Sequence, residues 1–188
     1  MRTLTPVPTS YAGHRFRSRL EARWAVFFDT LGVAWQYEPE AFVLPSGQRY
    51  LPDFRLPEQQ AWVEVKPSDT DDMSKTEEFA ECVPTSDRVF GFLGPIPPVS
   101  HINCAGQCYM DPCCAHIYLL APGWDNSYAW CTCSGRHYDL QFEARSARMT
   151  CGCRPYEPGG RGENGAHPKI LAAYTAANTR RFWDPVPP

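Results

Sequence analysis

The chain has 188 residues, 43% hydrophobic and 21% charged, enough to bury the core of one domain and leave material for an accessory module. A formal net charge of −3 argues against a generally basic nucleic-acid coat, and no apolar run reaches the length of a membrane span or a secretory signal, so a cytoplasmic chain is expected. Nine cysteines, an odd number with no export signal, point to metal thiolates ahead of disulfides.

Basic residues concentrate at the start, where His14, Arg15, Arg17, Arg19 and Arg23 stand against the single acid Glu21. From Arg17 to Leu31 the apolar residues Leu20, Trp24, Phe27, Phe28 and Leu31 recur at the spacing of one helical face, and Gly32 supplies a stop. Val33 to Glu38, Gln48 to Leu56 and Ala61 to Lys66 read as three strands, with Pro45-Ser46-Gly47 and Pro57 to Gln60 as turns. Ser68 to Cys82 reads as a helix opened by acids, and Arg88 to Leu93 as a strand, giving the order α-β-β-β-α-β. The proline cluster Pro95, Pro97 and Pro98 marks a boundary, so residues 1–98 form the expected first domain. Residues 99–155 form a cysteine-rich β module with strands at Ile117 to Leu120, Tyr128 to Cys131, Tyr138 to Phe142 and Arg145 to Thr150. Residues 156–188 are a flexible loop and a helix from Lys169 to Phe182.

The chemistry-bearing residues lie in the first domain. Pro52-Asp53-Phe54 precedes Val63-Glu64-Val65-Lys66-Pro67 by about one strand and a turn, and strand alternation puts Glu64 and Lys66 on one face. Glu21 sits beside the apolar stripe of the preceding helix. Gathering three carboxylates and a lysine is costly without a cation, and carboxylate oxygens suit a hard one such as Mg²⁺. Taken alone, Glu-x-Lys also fits an exposed strand face carrying a cross-strand ion pair.

With Glu21 on a helix, Tyr37-Glu38-Pro39, Tyr50-Leu51-Pro52-Asp53-Phe54 and Trp62-Val63-Glu64-Val65-Lys66-Pro67 in this order, residues 14 to 93 resemble the PD-(D/E)XK nuclease superfamily. The likeness is to its small phage-type members and to the endonuclease subunit of heteromeric transposases. The resemblance implies an α/β (α+β) fold, a restriction-endonuclease-like core with a mixed central sheet, and a metal-dependent DNA endonuclease. It implies Asp53 and Glu64 as ligands of Mg²⁺ or Mn²⁺, with the Val65 carbonyl as a further ligand, and Glu21 holding a metal-bound water or a second metal. Lys66 would offset transition-state charge, and Arg17 and Arg19 would contact DNA phosphates. The implied partners are DNA and a second copy or a recombination, transposition or phage protein, with no membrane. A DNA-binding or assembly protein that keeps the fold without turnover is the alternative.

Cys131-Thr132-Cys133 and Cys151-Gly152-Cys153 flank a hairpin pattern and offer four thiolates to one structural Zn²⁺, against free thiols or disulfides. The shorter Cys-x-Cys departs from the usual zinc-ribbon knuckle. Cys104, Cys108, Cys113 and Cys114, with His101 and His116, are candidates for a second zinc site, whereas Cys82 is expected to be a small buried residue. A disulfide-braced interaction protein is the remaining alternative for this segment.

Overall fold

The structure is a computed structural model and describes residues 6–68, 71–96, 116–121, 125–126, 140–143, 148–151 and 168–182. Over these residues it is mixed α/β, with a mixed sheet and three helices. The chain enters through a hairpin of β1 (Thr9–Tyr11) and β2 (His14–Phe16), turned at Ala12 and Gly13 with φ of 49° and 80°. These strands are too short for a period-2 pattern to register, and none is expected there from the sequence. Ser18 then adopts an extended conformation and its side chain takes the Glu21 N–H, so helix α1 (Arg19–Leu31) begins two residues later than periodicity suggests. Gly32, at φ 74°, closes α1 in the left-handed conformation that glycine adopts without a Cβ penalty.

After α1 come β3 (Gln36–Tyr37), a hairpin of β4 (Phe42–Val43) and β5 (Arg49–Tyr50), β6 (Phe54–Leu56) and β7 (Ala61–Lys66). Helix α2 (Ser74–Cys82) follows, and then β8 (Arg88–Leu93), β9 (His116–Ala121) and β10 (Asp125–Asn126). The main sheet runs β10-β9-β8-β7-β6-β3, parallel between β7 and β8 and antiparallel elsewhere. The single strand expected over Gln48 to Leu56 is two, interrupted at Leu51-Pro52-Asp53, because Pro52 has no N–H to carry a ladder onward. Helix α2 starts at Ser74 rather than Ser68. Asp71 accepts the Ser68 N–H and Asp72 the Ser74 N–H, side-chain bonds that compete with helical ones in the approach.

Alternation along β7 and β8 divides the interior in two. Ala61, Val63, Val65, Phe90 and Phe92 face one core with α1, while Trp62, Val89 and Leu93 face another with Met73, Phe79 and Ala80 of the α2 side. Glu64 and Lys66 therefore project on the α2 side. Helix α3 (Pro168–Thr179) completes the first core: Ala173 and Ala177 are fully buried, and the Tyr174 ring lies 4.6 Å from Phe27 and 6.3 Å from Trp24.

Three of these elements, β9, β10 and α3, lie beyond residue 98. Strand β9, in the segment expected to be a separate module, adds to the edge of β8, where its ladder satisfies backbone groups an open edge would expose. Helix α3, expected after a flexible loop, packs on α1. His116 opens β9 opposite Leu93. A two-stranded hairpin, β11 (Leu140–Glu143) and β12 (Arg148–Cys151), pairs Leu140 with Cys151. The other zinc candidates, His101, Cys104, Cys108, Cys113, Cys114, Cys131, Cys133 and Cys153, lie outside the described residues. Cys82 is exposed rather than buried, its thiol directed to the Glu78 carbonyl at 3.1 Å. Among the described residues no helix is long and apolar enough to cross a membrane.

Candidate functional site

Where the β6–β7 ladder ends, the sheet concentrates buried charge. Phe54 pairs with Val63, so Asp53 follows opposite Glu64. There Asp53 Oδ2 accepts the Val65 N–H at 2.7 Å, a side chain replacing the backbone acceptor the broken strand no longer provides. Its Oδ1 accepts from Arg17 Nη2 at 2.9 Å, and Arg17 Nε also contacts Glu38. Asp53 is 3% exposed, Glu64 6% and Glu21 7%. Burial, then repulsion from Glu64 and Glu21, raises the Asp53 carboxyl well above the usual carboxylate range against the opposing pull of the Val65 N–H and Arg17.

Each neighbouring carboxylate is held by a phenol. Glu21 stands third in α1, where Ser18 Oγ donates to its Oε1 at 2.6 Å, and Tyr37 and the Arg17 N–H donate to its Oε2 at 2.6 and 3.2 Å. Glu64 Oε2 accepts from the Tyr50 hydroxyl at 2.8 Å, and that hydroxyl lies 3.2 Å from Thr76 Oγ1 on α2. With the single phenolic proton committed to the stronger acceptor, the Tyr50 oxygen is left to accept from Thr76. Burial and the facing carboxylates raise both tyrosine pKa values far above ordinary, so both remain donors.

Lys66 Nζ lies 2.7 Å from Glu64 Oε1. Burial alone would favour its neutral form, but the attraction of Glu64, with Asp53 and Asp71 behind it, outweighs this and leaves its pKa raised. The facing carboxylates thus favour the charged form of the lysine.

Of these side chains Arg17, Tyr50, Glu64, Lys66 and Thr76 line a cleft of about 620 Å³ between β5 and the start of α2, with Arg49 and Lys75, whereas Asp53 and Glu21 are not among its lining residues. The structure thus brings Glu21, Asp53, Glu64, Lys66 and Arg17 into one network. Arg19 is not among the cleft-lining residues; it faces Arg23 one turn along α1, where burial and this like charge lower the Arg23 pKa. The Val65 peptide is present through its N–H. Sequence reasoning gave no role to Tyr37 and Tyr50, though both stand in its motifs, and missed Thr76, Arg49 and Lys75; the Ser18-x-x-Glu21 capping pattern was a visible signal for how Glu21 is oriented. Among the described residues no three His, Cys, Asp or Glu side chains form a metal cage.

Tyr50→Phe removes the donor that orients Glu64 and nothing apolar, so the fold is expected to persist. If Glu64 ligates a divalent cation, affinity for Mn²⁺, read by calorimetry, is expected to fall about tenfold or more. An unchanged affinity would show that Tyr50 does not orient Glu64 toward a cation.

Comparison of the chain with protein-family models, with curated proteins and with solved structures found no match.

Proposed function

We propose that this cluster is the active site of a Mg²⁺- or Mn²⁺-dependent endonuclease of the PD-(D/E)XK type, hydrolysing DNA phosphodiester bonds. The observation that carries it is the buried Asp53 opposite Glu64 at a strand end, with a protonated Lys66 on the same face and an open cleft beyond. The donor set fits a hard cation: Mg²⁺ commonly takes one or two carboxylates and keeps water or substrate oxygens elsewhere, so a closed protein cage is not required. Asp53 and Glu64 would hold it, with the Val65 carbonyl as the main-chain candidate. Bound there, the cation supplies Lewis-acid polarisation of the phosphate and a more acidic water.

The chain's own groups do the rest. Lys66 stabilises negative charge growing on the phosphate oxygens. Tyr50 and Thr76 keep the Glu64 carboxylate turned to the cleft. Glu21, its oxygens occupied by Ser18, Tyr37 and Arg17, adds a fixed negative field that favours a cation beside Asp53. The test is cleavage of plasmid, branched and single-stranded DNA with Mg²⁺ or Mn²⁺; absence of cutting by folded protein on every substrate would overturn the proposal.

For the cysteine-rich segment the proposal is structural Zn²⁺ at Cys131, Cys133, Cys151 and Cys153. The β11–β12 register supports it, since the chain entering Leu140 and the chain leaving Cys151 meet at one end of the hairpin. Metal analysis of reduced protein is expected to find bound zinc, lost on replacing Cys151 with Ser; a zinc-free protein with its thiols oxidised would favour disulfides.

A further inference from the structure

Arg17, one of the two arginines expected from the sequence to contact phosphate, is committed inside the site to Asp53 and Glu38. Lys66 is committed to Glu64. The cleft has two other basic residues, Arg49 and Lys75, both exposed, and neither side chain forms an ion pair or hydrogen bond among the described residues, although Lys75 stands near enough to Asp72 to help lower that carboxyl's pKa.

Their placement follows from the same elements that hold Glu64. Arg49 precedes Tyr50 in β5 and is exposed where Tyr50 is buried, and both line the cleft. Lys75 precedes Thr76 in the first turn of α2. Each cation thus stands one residue from a member of the Thr76–Tyr50–Glu64 hydrogen-bond chain. The two walls are also fastened together. Ser46, at the β4–β5 turn, gives its N–H and hydroxyl to the Glu78 carboxylate of α2, the hydroxyl at 2.8 Å. Phe42 and Tyr50 stack on Phe79 with ring centroids 4.7 and 5.0 Å apart. Asp71 and Asp72 line the cleft as well, but both are turned to backbone N–H groups, of Ser68 and Ser74.

We propose that Arg49 and Lys75 are paired phosphate contacts, one on each wall of the cleft, that hold the polynucleotide backbone on either side of the phosphate presented to Glu64 and Lys66. The proposal rests on the nuclease reading and deepens it, moving phosphate binding from the α1 arginines to the β5 and α2 walls. An exposed cation that meets a phosphate releases about one condensed counterion, so its loss flattens the salt dependence of binding by about one unit of slope.

The experiment measures binding of a short labelled duplex of mixed sequence to the full chain by anisotropy across a salt series, with Ca²⁺ in place of Mg²⁺. It compares wild type, Arg49→Gln, Lys75→Gln, the double variant and Arg19→Gln. The double variant is expected to lose about two units of slope and to bind at least about tenfold more weakly at moderate salt, while Arg19→Gln keeps the wild-type slope. In cleavage with Mg²⁺ the double variant is expected to raise KM and leave kcat near the wild-type value, the pattern of lost uniform binding. Both side chains are exposed, so folding is retained and a circular dichroism spectrum checks it. A wild-type slope in the double variant, or a slope lost in Arg19→Gln instead, overturns the assignment while leaving the nuclease reading intact. A wild type that neither binds nor cuts any DNA overturns both.

Discussion

Asp53→Asn is expected to abolish cleavage and, at neutral pH without metal, to make the protein more stable. The two effects have one cause. Asp53 is buried opposite Glu64 and near Glu21, and its ionised form is disfavoured first by lost solvation and then by those two charges. A divalent cation turns that unfavourable field into affinity, and the amide of asparagine cannot exploit it. Cutting is expected to fall at least about a thousandfold, or about 4 kcal/mol of transition-state stabilisation. The folded protein keeps its geometry, because the asparagine oxygen still accepts the Val65 N–H. Arg17 loses a partner, but its side chain is 58% exposed and retains Glu38, so this loss is small. Removing a buried charge that Arg17 and the Val65 N–H only partly offset is expected to stabilise the metal-free protein by roughly 1 kcal/mol, read by urea denaturation. A variant that still cuts, or one that is less stable than wild type, would show that Asp53 is held for structure and not for a cation.

The same charge makes wild-type stability depend on pH and metal in a predictable direction. The folded pKa of Asp53 lies above its unfolded value near 3.8. Below 3.8 the carboxyl is protonated in both states and carries no penalty; as pH rises through the folded pKa, stability is lost, and above that point the loss is complete. Lys66, whose folded pKa is also raised, from 10.5, loses stability with rising pH in the same sense, but only at alkaline pH and outside this window. The stability advantage of Asp53→Asn over wild type should therefore widen from about pH 4 upward and then level off. At neutral pH, Mn²⁺ at about a hundred times its dissociation constant is expected to restore about 2.7 kcal/mol, or roughly 5–10 °C in Tm for a chain of this size, and to do so only in wild type. An advantage that does not change with pH, or equal metal stabilisation of the variant, would contradict the site as described.

Much of this arrangement could be inferred from residue order because it is local. Glu64 and Lys66 share a face by alternation alone, and α1 is announced by an apolar stripe ending at Gly32. What could not be inferred depends on distant parts of the chain meeting. Tyr50 and Thr76 are 26 residues apart and become partners only when the β4–β5 hairpin folds onto α2. Arg17 looked like a free cation beside a helix, yet Asp53, 36 residues later, captures it. Strand β9 was assigned to a cysteine module because cysteines surround it, although its own residues His116 to Ala121 are an ordinary apolar run that suits the β8 edge. Acids ahead of α2 suggested an earlier helix start, but Asp71 and Asp72 bond to nearby N–H groups and delay it.

The docking of α3 on α1 sets an order of events during synthesis. Trp24, Phe27 and Phe28 are made early, but the ring and the two alanines that cover them come from Tyr174, Ala173 and Ala177, about 150 residues later. Until that segment leaves the ribosome, α1 has an uncovered aromatic face, and the carboxylates anchored by its first turn and by the strands beneath it lack their final support. A nascent chain carrying every proposed catalytic residue therefore still lacks part of its first core until residues 173–177 have been made.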